Sequence, residues 1–111
     1  PAAVAYARIW HQASGTFSVP LVTLHNRVDP LVPYAQTTSL AAIVDAKHNS
    51  GNLLQITAPQ LSTPLLNTGL SGLAHCGFSH DQLVGAFHSL TEWVETGVKP
   101  SNLGLDASQK H

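Results

Sequence analysis

The sequence predicts an α/β fold, in the form of a partial three-layer α/β sandwich with parallel strands. Segments with helical periodicity alternate with short, almost continuously apolar segments of strand length, in the order α-β-α-β-α. Strands that are joined through a helix pair in parallel, and such strands need helices on both faces. Two strands are too few for a stable sheet. We therefore expect residues 1–100 to form one end of a larger sheet, followed by a frayed tail at 101–111.

The first helix and the first strand are predicted from periodicity and apolar content. Residues 2–12, "AAVAYARIWHQ", have Val4, Ala5 and Ile9 at helical spacing. Residues 17–26, "FSVPLVTLHN", form an apolar run that is typical of a strand buried on both faces. Pro20 belongs at the beginning of that strand, because proline cannot donate a ladder hydrogen bond.

A turn, a helix, a strand and a long loop are predicted next. The turn is "RVDPLVP", and Pro33 is expected to be the first residue of a helix that continues through "YAQTTSLAAIVDAKH". The apolar face of this helix comprises Leu40, Ala41, Ile43 and Val44. Gly51 is expected to cap its end in the left-handed conformation. The segment "NLLQITA" is the second strand, and residues 58–74 are predicted to be a loop because of their prolines and glycines.

The last helix has the strongest local signals. Ser79 and Gln82 have the spacing of a capping box, and Gly97 followed by Pro100 is a stop signal. The apolar residues that repeat at helical spacing, and are expected to face the core, are Leu83, Ala86, Phe87, Leu90, Trp93 and Val94.

Composition excludes some classes of partner. The net charge of −1 gives no electrostatic reason to expect binding to nucleic acid or to an anionic membrane, and no apolar run is long enough to span a bilayer. Only 10% of the residues are charged, well below the ~25% of typical soluble domains. We expect part of the surface to be covered by another segment or chain. The first residues, "PAAVAYARIW", lack a methionine and a signal region, which indicates a processed chain or a fragment.

An acid and a histidine lie where α/β enzymes carry functional groups, beyond the carboxyl ends of the strands. Asp29 follows the first strand, and His75 comes 46 residues later, between the second strand and the last helix. An acid that orients an imidazole, and an imidazole that transfers a proton, are two parts of a Ser-His-Asp triad.

These segments resemble the carboxyl-terminal part of the α/β-hydrolase-fold serine hydrolases. The matching pieces are "VPLVTLHNRVDPLVP" and "AHCGFSHDQLVGAFHSLTEWVETGVKP", which cover roughly residues 17–100. The resemblance implies that Asp29 is the triad acid and His75 the base, and that no metal or organic cofactor is needed. Asn26 stands where many relatives have glycine, which departs from the pattern of the turn.

The nucleophile of such an enzyme is missing from the sequence. In this fold the serine precedes the acid and lies in a G-x-S-x-G elbow between a strand and a helix. No serine has that setting, and "GLSGL" around Ser71 comes closest but follows Asp29. The resemblance thus implies a carboxylic ester hydrolase whose serine lies in an amino-terminal part or a second chain. The isolated chain is predicted to be inactive.

The His75–Cys76 pair resembles the His-Cys pair of tannases and feruloyl esterases, where the cysteine is disulfide-bonded to a cysteine beside the nucleophile. This resemblance implies a disulfide from Cys76, the only cysteine, to a missing segment, and an extracellular or secreted protein. Burial of Cys76 as a small apolar thiol is the equally open alternative.

Other functions and roles remain open. His75 is alternatively an ordinary loop histidine, and Asp29 a turn former before Pro30. A metal cluster of His75, Cys76, His80 and Asp81 is disfavoured because no ligand pair has a metal-binding spacing.

Trp10 and Trp93 are predicted core residues, His25 a packed residue, and His11, His48 and His111 solvent-facing. The competing class is a non-catalytic binding or assembly module. A cleavage product that remains bound to its other half is a third possibility.

Overall fold

The computed structural model describes residues 1–65 and 67–101; the predicted tail lies outside them except for Ser101. It has a mixed α/β architecture with a parallel and an antiparallel two-stranded sheet. Its helices and strands, in chain order, are α1 (Ala2–Trp10), β1 (Leu21–Asn26), α2 (Ala35–Asp45), β2 (Leu53–Ala58), β3 (Ser62–Pro64), β4 (Ser71–Leu73) and α3 (His80–Thr96).

The central β-α-β unit is confirmed. β1 and β2 pair in parallel from Leu21 opposite Leu53 to Asn26 opposite Ala58, and α2 connects them. Pro20 directly precedes β1, where it costs no ladder hydrogen bond. Because the strands are in register, their carboxyl ends meet at one edge of the sheet.

The two faces of this sheet carry different helices. Trp93 of α3 packs with Leu54 and Ile56 of β2, and this cluster forms the core. On the opposite face, Gln55 donates a hydrogen bond from Nε2 to the Thr37 carbonyl of α2, at 2.9 Å. Successive strand residues point to opposite faces, so one helix covers each face of the strand pair.

The predicted ends of α3 are confirmed. The Ser79 hydroxyl accepts a hydrogen bond from the Gln82 N–H, and the Gln82 side chain accepts one from the Ser79 N–H, which completes the capping box. Gly97 ends the helix in the left-handed conformation, with φ of 71°.

Three local predictions were wrong. Pro33 is not the first helical residue, because α2 begins at Ala35 after Tyr34. The left-handed residue after α2 is His48, with φ of 54°, and Gly51 lies within a short 3-10 helix at Ser50–Asn52. The predicted loop at 58–74 contains an antiparallel hairpin, β3 with β4.

Much of the predicted apolar core is exposed. Trp10 was predicted to be a core residue, but its exposed fraction is 68%, and α1 has no buried residue. Trp93 is buried as predicted, whereas Leu83, Phe87 and Val94 of α3 are exposed. The Cα radius of gyration is 16.7 Å, compared with roughly 13 Å for a compact chain of this length. These apolar side chains lack the packing partners that a closed domain provides.

None of the helices within residues 1–65 and 67–101 has both the length and the apolar content needed to cross a bilayer.

Candidate functional site: an aspartate-histidine pair at the sheet edge

Asp29 lies in the turn after β1 and is held by backbone donors. Its Oδ1 accepts hydrogen bonds from the N–H groups of Leu31 and Val32, each at 2.8 Å. An Asp side chain that binds backbone N–H groups two and three residues ahead stabilises a turn. The carboxylate therefore has a fixed position, with only 3% of its side chain exposed.

The surroundings of Asp29 keep it ionised. The hydrogen bond from the Val32 N–H lowers the pKa of the carboxyl most, and partial desolvation opposes it. The Leu31 N–H, the His75 side chain and the Cys76 N–H lower the pKa further. The net effect is a pKa well below the usual range for Asp.

His75 contacts this carboxylate directly. Its Nδ1 lies 3.0 Å from Oδ1 and 2.9 Å from Oδ2 of Asp29. Because an ionised carboxylate only accepts, Nδ1 carries the proton and Nε2 is left as the basic nitrogen of the neutral ring. The His75 side chain is 41% exposed. The predicted acid and base are thus brought together across 46 residues of chain.

Asn26 ties the segment that carries His75 to the end of β1. Its Nδ2 donates to the carbonyls of Gly77, at 3.0 Å, and Pro59, at 3.3 Å, and the residue is fully buried. In the sequence, Asn26 is recognisable only as a departure from glycine, and this role was not predicted. The available signal was an amide side chain that ends an apolar strand three residues before the acid.

Cys76 lies beside His75, with its sulfur within hydrogen-bond distance of the ring. The Cys76 Sγ is 3.4 Å from Nε2 and 3.8 Å from Nδ1 of His75. The thiol is free and exposed, so the predicted alternative of a buried thiol is wrong. Cys76 also has φ of 52°, and its N–H is 3.4 Å from Oδ2 of Asp29.

The ligand atoms of Asp29, His75 and Cys76 lie within 4.8 Å of one another. Asp29 occupies the Nδ1 side of the ring, so an ion bound at Nε2 would have only the Cys76 thiolate as a second ligand from this group. Asp29 would then orient the histidine from outside the coordination shell. His80 and Asp81, the other members of the considered cluster, lie in the first turn of α3 and are not in this group.

The other histidines have separate surroundings. The Nδ1 of His25 lies 2.6 Å from the Asn26 carbonyl, and its ring packs edge-on against Tyr34. His25 is therefore a packed residue, as predicted. His11 and His48 are exposed, as predicted, and His111 lies outside the described residues.

No serine or threonine hydroxyl within the described ranges hydrogen-bonds to the ring of His75; its side-chain partners there are Asp29 and Cys76. Ser71, in the segment closest to an elbow, lies in strand β4 and not in a strand-turn-helix setting. The site can thus orient an imidazole and accept a proton at Nε2. Comparisons of the chain with protein-family models, curated proteins and solved structures found no match.

Proposed function

We propose that this chain is the carboxyl-terminal part of an α/β-hydrolase-fold serine hydrolase that cleaves carboxylic esters. One observation carries the proposal: the exposed His75 ring is bound through Nδ1 to the fixed Asp29 carboxylate, at 2.9 Å. In this arrangement Asp29 is the triad acid and His75 the base. An amino-terminal part of the same enzyme, or a second chain, supplies the serine.

The proposed reaction proceeds through an acyl-enzyme. His75 Nε2 takes the proton of the serine hydroxyl as the serine oxygen attacks the ester carbonyl, and Asp29 stabilises the imidazolium. The imidazolium then gives its proton to the leaving alcohol as the ester bond breaks. Water attacks the acyl-enzyme in the same way, which releases the acid and regenerates the serine. The oxyanion hole also comes from the part of the enzyme that carries the serine.

The open architecture supports the need for a further part. β1 carries the apolar residues Leu21, Val22 and Leu24, yet it pairs only with β2 among the described strands. The apolar faces of α1 and α3 are exposed, including Trp10 and Phe87. In the proposed enzyme, β1 and β2 extend a larger parallel sheet, and these faces are covered as part of a three-layer α/β sandwich.

The exposed thiol of Cys76 is accessible for a disulfide to the same missing part. Such a bond would link the serine and histidine segments covalently, and it would require an oxidising compartment outside the cytosol. Intact mass before and after reduction tests this disulfide. We expect reduction either to release a linked fragment or to open one internal disulfide that involves Cys76. A Cys76 thiol that reacts with iodoacetamide without prior reduction would contradict it.

The test of the function is ester hydrolysis by the full natural protein, with p-nitrophenyl acetate as substrate. His75→Ala should lower kcat by about 10³-fold or more, because the base is lost. The matched control is His88→Ala, which removes an exposed histidine of α3 whose nearest charged partner is Glu92, at 3.9 Å. Equal activity of the His75→Ala variant and the control would contradict the proposal. So would hydrolysis by the 111-residue chain alone that His75→Ala abolishes.

A non-catalytic binding or assembly module is the second candidate. The exposed apolar side chains of α1 and α3 favour it, because such surfaces mark interaction sites. A full protein that forms a stable complex through these helices, and shows no His75-dependent hydrolysis, would support this alternative.

A further inference from the structure

The side chains of Asp29, His75 and Cys76 come together at the sheet edge as three different kinds of metal ligand. Each offers one ligand atom, and these atoms lie within 4.8 Å of one another. They are a carboxylate oxygen, an imidazole nitrogen and a sulfur. The fold creates this group by bringing Asp29 to the His75–Cys76 pair across 46 residues of chain, which no ligand spacing in the sequence indicates.

The distances favour an ion at Nδ1 of His75. In a tetrahedral site with bonds of about 2.0–2.3 Å, two ligand atoms are about 3.3–3.8 Å apart. The Cys76 Sγ lies 3.8 Å from Nδ1, and Oδ2 of Asp29 lies 2.9 Å from it. An ion that replaces the Nδ1 proton therefore needs the Nδ1–Oδ2 distance to widen by roughly 0.4 Å. It would then have three protein ligands, whereas an ion at Nε2 would have two.

The two oxygens of Asp29 have different partners. Oδ1 accepts the hydrogen bonds from the Leu31 and Val32 N–H groups that hold the turn, each at 2.8 Å. Besides His75, Oδ2 contacts the Cys76 N–H at 3.4 Å, which is longer than a typical N–H···O distance of about 2.7–3.2 Å. Oδ2 can thus bind an ion while Oδ1 keeps the turn. The ion can enter from the side of Cys76 and His75, because the thiol is exposed and the His75 side chain is 41% exposed.

We propose that Asp29 Oδ2, His75 Nδ1 and the Cys76 thiolate bind one Zn²⁺ ion when Cys76 is reduced, with water as the fourth ligand. Thiolate and imidazole ligands select ions of the zinc group over Mg²⁺ and Ca²⁺. On binding, the thiol releases one proton to solvent, and the imidazole keeps its proton by moving it from Nδ1 to Nε2.

This binding goes beyond the proposed function, because it requires no serine. Within the proposed function the ion would be an inhibitor, since a His75 ring that is protonated at Nε2 cannot accept the serine proton. A disulfide at Cys76 would remove the thiolate ligand, so the full natural protein is reduced and freed of reductant before the ion is added.

Titration of the reduced full natural protein with Cd²⁺ tests the inference, because Cd²⁺ is a spectroscopic substitute for Zn²⁺ that gives an ultraviolet charge-transfer band with thiolate. We expect a band that saturates with a Kd of about 10 μM or tighter. Zn²⁺ should abolish the band by competition, and Mg²⁺ should not. Cys76→Ser, at an exposed side chain, should lose the component of the band that belongs to this site. A band of the same amplitude in Cys76→Ser would overturn the inference.

Asp29→Asn should weaken Cd²⁺ binding at this site about tenfold or more, because the anionic ligand is lost. The matched control is His88→Gln, which removes a histidine that lies 3.9 Å from the carboxylate of Glu92 and should leave the Kd unchanged. An unchanged Kd in Asp29→Asn would overturn the inference.

Nitrogen NMR of the ¹⁵N-histidine-labelled protein identifies the ring nitrogen that binds the ion, independently of any effect of Asp29→Asn on folding. We expect Cd²⁺ to bind Nδ1 of His75 and to leave the proton on Nε2. Binding at Nε2, or no change at His75, would overturn the three-ligand site. Because no turnover is measured, failure of the hydrolase proposal would not affect these results.

Discussion

At the scale of single residues, the contacts of Asp29 explain both its position and its ionisation. Two backbone N–H groups of its own turn and the ring of His75 all donate to one carboxylate. The turn donors would be present in any Asx-type turn. The contact with His75 is what converts this turn former into half of an acid-base pair.

Asp29 should make the stability of the chain depend on pH in acid. A carboxyl whose pKa is lower in the folded state stabilises the fold above its unfolded pKa of about 3.9, and this contribution is lost as the pH falls through the folded-state pKa. Urea unfolding of the wild type from about pH 6 down to pH 2 should therefore show falling midpoints below about pH 4. Asp29→Asn should be less stable at neutral pH and show a smaller fall.

The matched control for that experiment is Asp45→Asn, at an exposed carboxylate that accepts one hydrogen bond from the Ser50 hydroxyl. Its midpoints should follow the wild-type dependence on pH. An Asp29→Asn variant whose midpoints fall as steeply as those of the wild type would contradict the assigned role of the Asp29 contacts.

The sequence predicted the contact between Asp29 and His75 better than the contacts that support this pair. Asp29 and His75 were found because acid and histidine follow strands in the order of a known fold. Asn26 was missed because its partners are backbone carbonyls, at Pro59 and Gly77, and an amide at the end of a strand does not identify them. The contact of the Cys76 sulfur with His75 occurs at a residue with a left-handed backbone, a conformation that is rare outside glycine and asparagine.

At the scale of elements, Asn26 links the end of β1 to the segment before α3. Asn26→Ala should lower the free energy of unfolding by about 1–3 kcal/mol, because it leaves buried carbonyls without donors. In the full natural protein it should also lower kcat for ester hydrolysis with little change in KM, because His75 loses its support.

Asn49→Ala is the matched control for Asn26→Ala. Asn49 also donates from Nδ2 to two carbonyls, those of Gly15 and Phe17, at 3.1 and 2.9 Å, on the far side of the β-α-β unit. Both variants should lose stability, but only Asn26→Ala should lower kcat when both are assayed well below their melting temperatures. Equal kcat values for the Asn26→Ala and Asn49→Ala variants would show that Asn26 has only a structural role.

The two tryptophans distinguish α3, which packs on the sheet through Trp93, from α1, where Trp10 is exposed. Trp93→Ala removes the largest side chain of the core and should cost about 3–5 kcal/mol of unfolding free energy. Trp10→Ala, at a side chain that is 68% exposed, should cost less than about 1 kcal/mol in the 111-residue chain. If chemical denaturation showed the same loss of unfolding free energy in Trp93→Ala and Trp10→Ala, the observed packing would be contradicted.

Element prediction succeeded where the signal was local. The capping box of Ser79 and Gln82 and the glycine stop at Gly97 depend only on neighbouring residues, and both are confirmed. The β3–β4 hairpin was missed because proline and glycine content is similar in loops and in very short strands. The helical period of α1 was correct, but a period identifies an apolar face without showing whether a partner covers it, so the burial of Trp10 was wrong.

At the scale of the whole molecule, three features of the described residues have one common explanation under the proposed function: the open edges of the β1–β2 sheet, the exposed apolar sides of the helices, and an Asp29–His75 pair without a serine partner. Each is expected under the proposed function, in which the serine-bearing part of an α/β-hydrolase domain would contact β1, α1 and α3. The low fraction of charged residues, 10%, agrees with such covered surfaces. The sequence predicts a further part, but neither its identity nor its contacts can be derived from residues that are not in the chain.

The measurement that tests this account most directly is labelling of the full natural protein with a fluorophosphonate, followed by mass spectrometry of its peptides. The account predicts one labelled serine, outside residues 1–111, whose labelling is lost in His75→Ala and retained in His88→Ala. No labelled serine, or a label that does not depend on His75, would contradict the claim that Asp29 and His75 serve a serine nucleophile.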